Sequence, residues 1–390
     1  MSKERELMQV QAHGMGTTLV EPDWAPIQLR EANEILARYA GIGMASALIW
    51  HSPRPFSSAA IAETEQGPLF VKRHHAKVRD ITGLGEEHRL IGHLRSNGIP
   101  VSDILIGLDG ESAYMLGEWT YEVHRLAKGT DLYRDAVSWS PFQHKSHAYA
   151  AGVALAKLHV AAASYEASAR STRTLVSSFT IFASAAPRDA LHAYMEARPA
   201  LSDFLANKPW MKDFEDTFLP WHKRLAPWIS GLQPLWTHND WHASNLLWHE
   251  EGATAQVETI LDFGLADRTT AVYDLATAIE RNMIDWLSLD EEGGEAHVRY
   301  DHVDALLNGY ESVRPMTAYE MAALPAILPI VHAEFALAEI DYFAGIVESA
   351  SNAELAYERY WLGHAKWFER AAGIALLTYL KRRYDKRMTE

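Results

Sequence analysis

Residues 236–248 read W-T-H-N-D-W-H-A-S-N-L-L-W, residues 249–256 H-E-E-G-A-T-A-Q, and residues 257–264 V-E-T-I-L-D-F-G. The apolar run 246–248 predicts a short strand, 250–252 a turn, and 257–261 a second strand, which together make a β-hairpin. In an antiparallel hairpin the start of the first strand lies beside the end of the second. Asn245 opens the first strand and Asp262 closes the second. The fold therefore brings an amide oxygen and a carboxylate together from positions far apart in sequence. Hard oxygen ligands around an open site are what magnesium bound to a nucleotide requires. Asp240 stands in the loop entering the hairpin. A carboxylate there can face the same centre, orient a substrate hydroxyl and accept its proton as phosphate is transferred.

Upstream of this segment the periodicity changes twice. Residues 29–39 read as an amphipathic helix with Leu29, Ile35, Leu36 and Tyr39 on one side, placing a leading helix at about 28–40. Residues 44–50, 58–64 and 69–74 then read as strands, and 86–96 as a helix closed by Asn97-Gly98. Residues 113–119 and 121–126 read as more strand. After Gly129 the chain turns mostly helical. Residues 146–163 form a long alanine-rich helix, and helix resumes from Tyr273 after the hairpin. The expected class is α+β in two lobes: a β-rich N-terminal lobe over residues 1–128 and a larger α-helical lobe over 129–390.

The loop H-N-D-W-H-A-S-N, followed by L-D-F-G and by Asp274-Leu275-Ala276, resembles the catalytic loop and metal-binding motif of the aminoglycoside phosphotransferase and choline kinase family, relatives of protein kinases. The resemblance implies ATP and Mg2+ as cofactors and a two-lobed kinase-like fold. It assigns Asp240 as catalytic base, Asn245 and Asp262 as metal ligands, and His238 and His242 as loop supports. Asn239 stands where the family usually has glycine, and asparagine tolerates left-handed backbone better than most residues. Asp274 is expected at a helix start, bracing the loop.

A kinase also needs a lysine on the third strand to hold the α- and β-phosphates, and a glutamate on the next helix to fix it. Lys72, in L-F-V-K-R, and Glu87, on the stripe of Leu90, Ile91 and Leu94, fit those places. Glu86 is expected to point elsewhere. The turn H-S-P-R-P-F-S-S, with Ser52, Ser57 and Ser58 as donors and Arg54 as a charge, sits where the resemblance places the phosphate-covering loop. Adenine is expected against backbone near Val123, His124 and Leu126.

The acceptor is expected to be a small hydroxylated molecule, bound among the helices after Tyr273. Those helices carry Glu280, Asp285, His332, Glu334, Glu339 and Asp341, interleaved with Trp286, Phe335 and Phe343. A buried carboxylate needs a partner. Glu280, Glu334 and Asp341, with Trp286 beside them, would suit an ammonium group, although Arg281 can neutralise the same carboxylates from within.

Two other readings stand beside this one. His238, Asp240 and His242 would share a face if they lay on a strand, as in a metal-dependent hydrolase. Their polar loop composition opposes that, and the other 16 of the 19 histidines look scattered. A pseudokinase that binds nucleotide is the second, opposed by the presence of Lys72, Asp240, Asn245 and Asp262 together.

Bulk properties narrow the rest. A length of 390 residues favours two lobes over one core. With no cysteine in the chain, disulfides, thiolate metal sites and a cysteine nucleophile are excluded, and a reducing cytoplasm fits. A net charge of −15 repels phosphate backbones, so nucleic acid is not an expected partner. The polar start M-S-K-E-R-E lacks the apolar core of a signal peptide, and no membrane span is expected, residues 321–331 coming closest. Oligomeric state is not legible.

Overall fold

The computed structural model describes residues 22–136, 139–290 and 296–388. The polar start of the chain lies outside them. The N-terminal sheet holds β1 (Ala45–His51), β2 (Ser58–Thr64), β3 (Gly67–His75), β4 (Tyr114–Leu116) and β5 (Trp119–Arg125), all antiparallel in the order β1-β2-β3-β5-β4. Alternation along β3 decides what each face does. Leu69 and Val71 point into a core with Val123, Tyr121 and residues Ile35, Leu36 and Tyr39 of the leading helix region. Phe70 and Lys72 therefore face the other way.

The helix Ile81–Ser96 begins earlier than its apolar stripe suggests. Asp80 caps it, its carboxylate accepting from the Gly83 N–H at 2.7 Å. Its inner side chains Leu90, Ile91 and Leu94 join the large helical core rather than the small sheet core.

In the second part of the chain, β6 (Pro234–Thr237) pairs with β9 (Asp267–Thr270), and β7 (Leu246–His249) with β8 (Gln256–Ile260). Strand β9 was not expected. Its sequence, Asp-Arg-Thr-Thr, has no apolar alternation, and pairing to β6 holds it. Thr270 then caps the helix Ala271–Met283 by accepting from the Tyr273 N–H, so Asp274 lies in the first turn rather than at the cap.

The helices Lys145–Ala162 and Tyr300–Glu311 pack at very close range. A Cβ on Gly152 would lie 2.1 Å from the Leu306 carbonyl oxygen, and one on Gly309 2.1 Å from that of Tyr149. That contact sets His159 against Tyr310, Nδ1 to hydroxyl at 2.8 Å. The helical stretch Ala318–Gly345 is long and apolar enough to cross a membrane by length and composition, contrary to expectation, because helical structure continues past Pro325 and Pro329. It is mostly buried within the protein and contributes to the helical core.

Candidate active site

The hairpin delivers what its sequence implies. Leu246 pairs with Ile260, and the Leu261 N–H donates to the Asn245 carbonyl at 2.9 Å, which sets Asn245 beside Asp262. The Asn245 side-chain nitrogen donates to the Asp240 carbonyl at 3.0 Å and to its carboxylate Oδ2 at 2.9 Å. Both bonds use the amide nitrogen, which leaves the amide oxygen for a metal. Asp262 sits at φ 53°, a left-handed conformation uncommon for a residue with a Cβ. Its side chain is 44% exposed, open enough to take a cation, and its Oδ1 accepts from the Gly264 N–H at 3.2 Å.

The loop before the hairpin is fixed from below. Asp274 accepts the N–H groups of His238 and Asn239 at 2.8 and 2.9 Å, and its Oδ2 lies 3.0 Å from His159 Nε2. His238 Nε2 reaches the Leu261 carbonyl at 2.8 Å, tying the loop to the second hairpin strand. Asn239 adopts φ 59°, the conformation that a glycine would otherwise serve. Its side chain is bonded to the Ser177 carbonyl and to the hydroxyls of Thr237 and Thr269. Asn282, which no sequence pattern marks, accepts from the Ala243 N–H and donates to the Trp241 carbonyl.

Asp240 stands between an imidazole and a guanidinium. His242 Nε2 is 3.5 Å from its Oδ2, and Arg281 Nη1 3.3 Å from its Oδ1. Burial works to raise this carboxyl, but His242 and Arg281 outweigh it and hold it well below the usual carboxylate range. Its Oδ1 is buried and makes no hydrogen bond. His242 uses Nδ1 toward the Ser244 hydroxyl at 2.9 Å. His242 faces Asp240 but His238 turns to the Leu261 carbonyl, so the three do not form a three-ligand metal set, which removes the hydrolase reading's geometry.

Lys72 is not paired with Glu87. Its ammonium lies 3.2 Å from Asp262 Oδ1. Burial would lower the ammonium, but Asp262, Glu122 and Glu87 raise it above its ordinary value. Glu87 does face inward on the predicted stripe, but its Oε1 accepts from Arg79 Nε at 2.8 Å and from Arg170 Nη2 at 2.5 Å. Two guanidiniums, one from the turn before the helix and one from the loop after residue 167, satisfy it where a single lysine was expected. Glu86 turns away to Ser171, as its place off the stripe implies.

The remaining nucleotide expectations divide. Ser52 accepts from the Arg54 N–H at 3.2 Å and lies with Ser57 in the turn after β1. Ser58 spends its hydroxyl on the Ala25 carbonyl. Val123 and His124 lie within β5: the Val123 carbonyl accepts from Leu105 N–H at 2.8 Å, and His124 Nε2 is 2.8 Å from Glu122 Oε2. Those groups are engaged within the sheet, because β5 runs to Arg125. Leu126, just past its end, is exposed.

Among the expected acceptor residues, Glu334 is a structural clasp. It accepts from Ser178 Oγ, Thr180 N and Oγ1, Ile181 N and Phe182 N at 2.8–3.2 Å, so the loop 178–182, not a ligand, is its partner. Asp341 accepts from Leu201 N–H on the helix Pro199–Leu205. Trp286 is buried, stacked on His364 at 4.1 Å, and donates to the Glu280 carbonyl. Glu280 stays near the centre. Its Oε1 is 2.6 Å from His364 Nδ1, and its Oε2 lies 4.0 Å from Arg281 Nε. Glu339 joins it, with burial pushing its carboxyl up to about 8. His332 is held well below the ordinary imidazole range by burial and by the His364 and Arg281 charges. The histidines are not scattered: His74, His88 and His124 surround Glu122, and His332 and His364 stack at 4.7 Å.

The chain is similar to solved small-molecule kinases. A microcompartment-associated aminopropanol kinase superposes with TM-score 0.57 at 14% identity, covering 89% of this chain and 99% of that one. An amicoumacin kinase bound to AMP-PNP, Ca2+ and Ami gives TM-score 0.56 at 14% identity, covering 85% and 95%. A spectinomycin phosphotransferase with ADP and its antibiotic gives 0.54 at 13%, covering 92% and 99%. At these identities the likeness speaks for the fold alone. No curated protein sequence matches the chain. The family profile described as "Phosphotransferase enzyme family" matches residues 52–316, well over half of the chain, and with the fold around the Asp240 loop and the Asn245–Asp262 hairpin it follows that the chain belongs to the phosphotransferase enzyme family.

Proposed function

We propose that the protein transfers the γ-phosphate of ATP, with Mg2+, to a hydroxyl of a small molecule. The observation that carries this is the convergence of Lys72 from the third strand, Asp240 and Asn245 from one loop, and Asp262 from the end of the hairpin. Asn245 and Asp262 would hold the metal, and their free amide oxygen and exposed carboxylate fit a hard cation. A cation held there would supply positive charge against the negative charge of the transferring phosphate. Lys72, already charged and beside Asp262, is placed to hold phosphate oxygens. The segment past β5, at the exposed Leu126, is the edge offered to adenine, with Ser52 and Ser57 on the covering turn.

Asp240 receives the acceptor. Its Oδ1 faces Arg281 Nη1 at 3.3 Å but makes no hydrogen bond, and it is the oxygen proposed to accept one from the acceptor hydroxyl. With its carboxyl held low, Asp240 is a weak base, so its main work is to orient the hydroxyl and take the proton late, as the new O–P bond forms. His242 and Arg281 keep it anionic, and Asn245 fixes its other oxygen.

The acceptor is a hydroxylated small molecule. Amino alcohols, aminoglycosides and sugars are the first to test, since the similar structures include kinases named for aminopropanol, amicoumacin and spectinomycin. The experiment is a coupled ADP-release screen over such compounds with ATP and magnesium. Acceptor-dependent ADP release, with phosphate recovered on the compound, supports the reading. Zinc-dependent hydrolysis without ATP consumption defeats it.

A further inference from the structure

Beyond Arg281 lies a group of side chains that phosphate transfer does not use. Glu280 comes from the helix Ala271–Met283, His332 from the residue before the helix Ala333–Gly345, Glu339 from within that helix, and His364 from the start of the helix His364–Trp367. Ligand-type atoms of Glu280, His332 and His364 all lie within 4.8 Å of one another. Glu339 Oε2 is 3.7 Å from His332 Nε2. The four residues are buried, at 1%, 6%, 5% and 3% exposed for Glu280, His332, Glu339 and His364. A π-helix, Ala356–Gly363, delivers His364 to this place, and such departures from α-geometry are frequent at functional sites.

The hydrogen bonding is incomplete in one particular way. Glu280 Oε2, Glu339 Oε2, His332 Nε2 and His364 Nε2 are buried with no hydrogen-bond partner. A buried polar atom left so has lost its water without gaining a partner. His364 Nδ1 faces Glu280 Oε1 at 2.6 Å. Trp286, stacked on His364, and Trp139, packed edge-on to both imidazoles, enclose the rings. The other buried histidine cluster differs. There the Nε2 atoms of His74, His88 and His124 already meet Glu122 at 3.1, 2.8 and 2.8 Å.

We infer that Glu280, His332 and His364, with Glu339 as a fourth ligand, form a zinc-type transition-metal site distinct from the magnesium ligands Asn245 and Asp262. Two imidazole nitrogens and carboxylate oxygens in a small enclosed space suit zinc. Magnesium prefers oxygen ligands alone and keeps its waters. An acceptor ammonium would satisfy the carboxylates too, and the test separates it from a metal.

The full chain, stripped with a chelator, is titrated with zinc against a chromophoric indicator, and with cobalt(II) followed by its visible absorption. The expected result is one zinc equivalent not displaced by millimolar magnesium, with a tetrahedral cobalt spectrum. Affinity should fall on the order of 100-fold or more in His332→Ala and His364→Ala, since even outer-shell changes cost 10–100-fold. It should persist in His124→Ala. Should the alanine variants not fold, the cobalt spectrum of the unaltered chain decides alone. Absence of tetrahedral cobalt absorption, or zinc binding lost in His124→Ala and kept in His332→Ala, overturns the site. So does thermal stabilisation by an alkyl diamine with none by zinc, which would assign the unpaired atoms to an ammonium ligand.

Discussion

Lys72 Nζ lies 3.2 Å from Asp262 Oδ1, joining the third strand of the N-terminal sheet to the end of the hairpin. The pair spans 190 residues of sequence, and each partner holds the other charged: Lys72 rises above its ordinary value and Asp262 falls below its own. Asp262→Ala should therefore do two things, removing a proposed metal ligand and releasing Lys72. Calorimetric titration of ATP should lose its magnesium dependence in this variant, and Asn245→Ala should weaken it. Equal magnesium dependence in both variants and the unaltered chain would contradict the assignment.

Asp240→Asn should reduce turnover by ~100- to 10,000-fold while ATP affinity is kept, because the proposed role of Asp240 is on the acceptor and not on the nucleotide. The pH dependence follows from the direction of its shift. A depressed carboxyl stays ionised as pH falls through the ordinary carboxylate range, so its contribution to kcat/KM is present at neutral pH and lost only in stronger acid. Between about pH 5 and 8, replacing Asp240 should lower the profile without changing its shape. An acid limb near neutrality that disappears in Asp240→Asn would show that the carboxyl titrates there after all.

Glu87 belongs to stability more than to phosphate binding. Its carboxylate is buried between Arg79 and Arg170, and those charges hold it below its ordinary range against burial. Glu87→Ala leaves two buried guanidiniums short of an anion, at a cost of about 3–5 kcal/mol. Denaturant unfolding should show this loss. As the carboxyl is depressed when folded, its contribution exists above the unfolded pKa and fades as pH falls through the folded one. In kcat/KM, Lys72→Ala and Glu87→Ala should show far less coupling than Lys72→Ala and Asp262→Ala.

The candidate site was legible because a short segment encodes most of it. The hairpin register follows from the apolar runs on either side of a turn, and Asn239 announced its left-handed backbone by standing where glycine is usual. Partners contributed by remote loops were not legible. Arg170 reaches Glu87 across 83 residues, and nothing in its neighbourhood marks it. The loop 178–182 takes Glu334 through backbone N–H groups, which carry no sequence signal. Strand β9 escaped because pairing to β6, not its own alternation, stabilises it.

Gly152→Ala and Gly309→Ala test how helix packing supports the loop. Each Cβ would meet a backbone carbonyl of the facing helix at 2.1 Å, and backbone cannot move aside as a side chain can. Overpacking of this kind costs typically ~1–3 kcal/mol. The helices must part, and His159, which links Tyr310 to Asp274, moves with them. Both variants should lose melting temperature and kcat while ATP affinity changes little. Full activity with unchanged stability would mean that the two helices do not approach so closely.

Glu334→Ala and Glu334→Gln decide whether this carboxylate reads the acceptor's charge. The expected answer is that it does not. Five donors from residues 178–182 already occupy both oxygens. Burial raises the carboxyl in spite of them, so the site is poorly suited to adding a further cation. Removing the side chain strands three backbone N–H groups, each worth about 1–3 kcal/mol when buried without a partner. Glu334→Ala should therefore destabilise strongly in thermal unfolding. Glu334→Gln should cost less, because one amide oxygen still accepts. The charge test is the ratio of kcat/KM for an amino alcohol to that for its neutral analogue, compared at low and high salt. This ratio should be the same in Glu334→Gln as in the unaltered chain even where both values fall. A selective loss for the amino alcohol, largest at low salt, would return Glu334 to the acceptor site and make the loop its secondary partner.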